Sequence, residues 1–100
     1  MGGYEPPLLV RRGRYMHPRY RIDDTSDIIS PALVVFREIL EENLQQMIRI
    51  AGDPGRLRPH CKTHKMPQVI ERELALGIGK HKAATFAEAE MLARDRRLTV

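Results

Sequence analysis

Tryptophan is absent from these 100 residues, and two Phe with three Tyr leave aromatic packing little to contribute. A single cysteine, Cys61, excludes an intrachain disulfide and makes a reducing compartment the natural expectation. No run approaches the roughly 18 apolar residues that a membrane span requires. The N-terminus lacks the apolar stretch of a signal peptide. "MGGYEP" places Pro6 where a myristoylation signal takes Ser or Thr. A cytoplasmic location with no membrane partner is therefore expected.

Net charge is lacking over most of the chain. The formal +4 is concentrated in residues 1–21, where Arg11, Arg12, Arg14, Arg19 and Arg21 face only Glu5. Residues 22–100 carry 12 basic and 12 acidic side chains. The high isoelectric point thus reports an arginine-rich leader, and a nucleic-acid partner is not expected. Hydrophobic content of 42% and charged content of 30% are ordinary for a soluble domain, and 100 residues allow one small core at most.

Residues 1–24 hold three of the seven Gly and three of the seven Pro and read as an irregular arm. "ALVVF" at 32–36, approached through Pro31, suits a short buried strand. The clearest periodicity follows. Phe36, Ile39, Leu40, Leu44, Met47, Ile48 and Ala51 repeat at helical spacing, and Gly52 with "DPG" supplies the cap and turn. "LRPHCKTHK" reads as a strand or strand end. Pro67 suits the first turn of the next helix, whose apolar side is Val69, Ile70 and Leu74 and whose stop is Gly77. "KHKAATF" reads as another strand, Thr85 and Glu88 stand at capping-box spacing for a third helix, and "LTV" looks like a strand start. This alternation predicts an α/β fold with parallel strands and crossover helices, the beginning of a larger sheet or barrel. A full (β/α)8 barrel needs roughly 250 residues, so residues 25–100 would be its first units only.

The chemistry concentrates in "RLRPHCKTHK", residues 56–65. Strand alternation would put Arg58, His60, Lys62 and His64 on one face, which is either a solvated basic edge or one wall of a site. Functional groups of parallel α/β folds sit at the C-terminal ends of strands, and Lys62 falls at such a place. Imine formation with an aldehyde requires a neutral, positioned amine.

Three segments carry a resemblance. "SPALVVFREILEENLQQM", with Asn43 in the helix, "RPHCKTHK" and "AATFAEAEMLA" together resemble the fold-type III pyridoxal-phosphate enzymes of the D-threonine aldolase and D-serine dehydratase group. The octapeptide is similar to that group's R-P-H-x-K-T-H-K signature, and the matches run in order from Ser30 to about Ala93. Phe36, where the family usually carries Asp, and the basic pair Lys80 and Lys82 depart from the pattern.

The resemblance implies an alanine racemase-like (β/α)8 barrel, incomplete in this chain. It implies Lys62 as the catalytic lysine holding pyridoxal 5'-phosphate as an internal aldimine. The reaction implied is aldolase-type cleavage of a D-3-hydroxy amino acid. Elimination of the D-serine dehydratase kind and cofactor binding without turnover are the alternatives. The expected partner is a small D-amino acid, with the full-length protein a homodimer. A divalent metal, if used, would be held by residues outside this chain.

Each residue also has a plainer role. Lys62 by itself is a surface lysine. His60 and His64 could contact cofactor or substrate, or equally hold the strand end. Thr85 is most simply a helix cap, with a cofactor contact as the alternative. A zinc reading of His60, Cys61 and His64 lacks a fourth ligand, and a regular strand would turn Cys61 to the other face, so no metal site is expected here. Cys61 then reads as a small packing residue. Lys65 is out of phase and expected to be solvated.

Overall fold

The computed structural model describes residues 17–100. The chain divides into two units, Met1–Ala32 and Leu33–Val100. Most of the arginine-rich arm, including the arginines at 11, 12 and 14, lies outside the described residues. Within the first unit, Pro18–Tyr20 forms a single 3-10 turn, capped by His17, whose Nδ1 accepts the Arg19 N–H.

The second unit contains three helices, α1 (Arg37–Ala51), α2 (Pro67–Ala75) and α3 (Phe86–Ala93). Helix α1 follows the spacing of its apolar residues. Leu44 is buried, and Phe36, Ile39, Leu40, Met47, Ile48 and Ala51 are half-buried, while Glu38, Glu42, Gln45 and Arg49 face water. It ends at Gly52 in the left-handed region (φ 87°), whose N–H donates to the Ile48 carbonyl. A 3-10 turn at Pro54–Arg56 follows, capped by Asp53 accepting the Gly55 N–H. Helix α2 opens on Pro67, where the missing N–H costs nothing, and its chain reverses at Gly77 (φ 89°). The Arg72 guanidinium on α2 pairs with Glu41 on α1.

Helix α3 starts with the expected capping box. Thr85 Oγ1 accepts the Glu88 N–H at 3.1 Å, and the Glu88 carboxylate turns back toward the same turn. Cys61, Ile70 and Leu92 form the central apolar cluster, with Leu74, Ala83, Met91 and Leu98 packed against it. Ile78 is also fully buried.

The expected barrel fragment is not what the residues form. Among the described residues there is no β-strand. Parallel pairing is confined to two isolated bridges, His60 with Lys82 and Lys80 with Thr99. The hydrogen bonds are those of single rungs: Cys61 N–H to Lys82 O, Lys82 N–H to Pro59 O, His81 N–H to Thr99 O and Thr99 N–H to Gly79 O. Two features prevent their growth into strands. Residues 32–35 of "ALVVF" enter no strand, with Leu33, Val34 and Val35 exposed. The "HCKTHK" run bends into a 3-10 turn at Cys61–Thr63 immediately after its one bridged residue. The α/β alternation expected for residues 25–100 is therefore replaced by a helical unit with single bridging contacts.

Candidate functional site

The 3-10 turn at Cys61–Thr63 organises the region singled out in the sequence. His60 caps it, with Nδ1 accepting the Lys62 N–H at 3.1 Å. His64 closes it, with Nδ1 accepting the Met66 N–H at 2.9 Å. Burial lowers the pKa of His64, so the neutral ring needed for that acceptance is favoured. Both histidines thus hold backbone, the supporting role that the sequence left open.

The turn also breaks the alternation. Arg58, His60, Lys62 and His64 do not share a strand face: Arg58 and Lys62 are exposed, and the two histidines are half-buried. Arg58 instead donates through its guanidinium to the His81 carbonyl at 3.2 Å. Lys62 projects to solvent, and among the described residues no carboxylate or acceptor engages its amine. Lys65, expected to be solvated, adopts a left-handed backbone (φ 54°) and stands 3.6 Å from the Glu88 carboxylate.

Cys61 points inward, fully buried, and meets Glu88 of α3. Its Sγ donates to Glu88 Oε1 at 3.6 Å. The same oxygen accepts the Ala84 N–H at 3.0 Å, and Oε2 accepts the Thr85 hydroxyl at 3.1 Å. These donors, the Ala84 N–H first, hold the Glu88 carboxyl below its ordinary pKa even though it is buried. Burial, and then the adjacent Glu88 charge, push the Cys61 thiol up. Ligand atoms of His60, Cys61 and Glu88 all lie within 4.8 Å of one another. Thr85 joins the lysine-bearing turn only indirectly, through Glu88 and Cys61.

A second buried polar group is the pair His81 and Glu73. His81 and Glu73 of α2 have side chains only 0% and 4% exposed, and His81 Nε2 stands 3.5 Å from Glu73 Oε1. Neither those two atoms nor His81 Nδ1 has a hydrogen-bond partner among the described residues. Burial raises the Glu73 pKa to about 7 and lowers that of His81, on which the charges of His64 and Arg58 act in the same direction. The sequence reading missed this pair. The signal available was position: His81 lies between Lys80 and Lys82, a pattern that would turn it away from the two lysines if the segment is held extended.

Comparison with family models, with curated proteins and with solved structures finds no match to this chain. No helix of the described residues is long and apolar enough to cross a membrane.

Proposed function

We propose that Lys62 is the cofactor lysine of a pyridoxal-phosphate enzyme, a lyase of the D-threonine aldolase kind. The observation that carries this reading is the Arg58–Lys65 octapeptide together with the state of its lysine. An aldehyde cofactor needs an accessible, uncommitted primary amine, and the Lys62 amine is exposed and engaged by no acceptor among the described residues. The neighbouring side chains fit a positioning role. Cys61 anchors the turn in the core, while His60 and His64 each accept a backbone N–H and fix its two ends. Pyridoxal phosphate, when bound, supplies the electron sink that a Cα–Cβ cleavage requires.

A second reading, cofactor binding without turnover, draws on the same geometry. Lys62 is exposed, and the surface hollows beside α1 and between α2 and α3 are lined by other residues. On that second reading the chain captures the cofactor without cleaving D-threonine.

Addition of pyridoxal phosphate, borohydride reduction and mass-spectrometric mapping tests the assignment. Labelling concentrated on Lys62 and lost in Lys62→Ala supports it. Labelling spread over Lys65, Lys82 and other lysines at similar levels would overturn it. Aldehyde release from D-threonine by the same preparation would decide for the lyase over the binding protein.

A further inference from the structure

We propose that His60, Cys61 and Glu88 form a zinc site with three protein ligands and an open fourth position. It is independent of the Lys62 reading. The donor set is a thiol, an imidazole and a carboxylate, and these three ligand types recur at zinc. They are contributed by different parts of the chain: the cap and first residue of one 3-10 turn, and the third residue of α3.

The spacing is close to what the ion needs. Zinc bond lengths of 2.0–2.3 Å in a tetrahedron with one sulfur ligand place ligand atoms roughly 3.3–3.6 Å apart. Cys61 Sγ and Glu88 Oε1 are already 3.6 Å apart, and no pair in the trio exceeds 4.8 Å. Two of the three ligands are held in place beforehand, since Cys61 sits in the apolar cluster and Glu88 is fixed by the Ala84 N–H and the Thr85 hydroxyl. His60, half-buried at the rim, closes the remainder by giving up its bond from the Lys62 N–H, since a neutral imidazole has a single lone pair to offer.

The charges balance as well. Binding replaces the Sγ–H···Oε1 hydrogen bond: the thiol proton leaves to solvent, Sγ and a Glu88 oxygen bind the dication, and the imidazole donates a neutral lone pair. Two anionic ligands then neutralise Zn2+. No oxidant or co-reactant is needed. In the metal-free chain the ion-pair partner of Glu88, at Oε2, is Lys65, whose side chain is 61% exposed and can swing into water as the ion enters. Lys65 and the metal therefore compete for one carboxylate.

Cobalt and zinc titration of the purified chain tests this. One equivalent of Co2+ should produce a thiolate-to-cobalt charge-transfer band, displaced by Zn2+, with about one proton released per ion. Cys61→Ala should abolish the band. Glu88→Gln, which keeps a residue able to complete the capping box, and His60→Gln should each weaken binding by at least the roughly tenfold that even outer-sphere partners cost. Lys65→Gln should tighten it severalfold, an effect that a purely structural role for Glu88 would not produce. Absence of the band from chain shown to be folded by circular dichroism would overturn the proposal. So would a band unchanged in both Glu88→Gln and His60→Gln, because Cys61 would then be binding with other ligands. Neither result would touch the borohydride test of Lys62.

Discussion

Replacing Glu73 by glutamine keeps the side chain's volume and removes its ionisation, which isolates the contribution of a buried acid to stability. In the folded chain burial raises Glu73 from an ordinary 4.5 to about 7. Between those values the unfolded chain releases a proton that the folded chain retains, so the native state binds more protons and stability falls as pH rises. The loss begins near pH 4.5 and is complete above pH 7. A displacement of that size corresponds to roughly 3 kcal/mol. His81 acts in the opposite sense. Its folded pKa is depressed by burial and by the charges of His64 and Arg58, so its contribution is lost as pH falls below about 6.5.

Because His81 is present in both proteins, its effect largely cancels when Glu73→Gln is compared with the parent. Urea unfolding at a series of pH values should show the variant gaining on the parent by roughly 2–3 kcal/mol between pH 5 and pH 8, most of the full displacement. A stability difference that stays constant across that range would refute the reasoning. It would mean that Glu73 is ionised when buried and that the 3.5 Å approach to His81 is a true ion pair.

Leu92 is fully buried at the centre of the apolar cluster, so Leu92→Ala should cost about 2–5 kcal/mol in the same urea assay. Thr85→Ala removes the acceptor for the Glu88 N–H and one donor to its carboxylate, and a loss of about 1 kcal/mol in midpoint-derived stability is expected. Gly77→Ala should destabilise by about 1–2 kcal/mol, because φ is +89° and the added Cβ would meet Pro54 Cγ at 3.2 Å; calorimetry showing an unchanged melting temperature would count against that strain. Exchanging Glu73 and His81 together for leucine should leave stability unchanged or raise it by about 1–4 kcal/mol, since two poorly partnered polar groups leave the core.

What could be read from the sequence follows the range of each interaction. Helix α1 was legible because seven apolar residues within sixteen positions define one stripe, and Gly52 at its end is a local requirement for positive φ. The Thr85–Glu88 box was legible for the same reason: both partners lie within four residues, and the bonds they make are dictated by helix geometry. Strands carry no such self-sufficiency. The alternation in "RLRPHCKTHK" describes how side chains would point if a partner backbone held the segment extended, and it contains no information about whether one does. Here the partner engages only His60, and the chain is then free to turn. The turn itself is held by histidine nitrogens accepting N–H groups two residues ahead, a role for which Asp, Asn, Ser or Thr would have given a warning and His did not. That one turn explains the other departures as well. It directs Cys61 inward to Glu88, 27 residues away, and leaves Lys62 outside with its amine uncommitted. The thiol–carboxylate contact and the free lysine are thus two consequences of the same local bend, so a variant that straightens it should disturb metal binding and Lys62 labelling together. His64→Gln, which removes the acceptor of the Met66 N–H without touching a proposed metal ligand, would supply that variant, and loss of one property with full retention of the other would show that they are set separately.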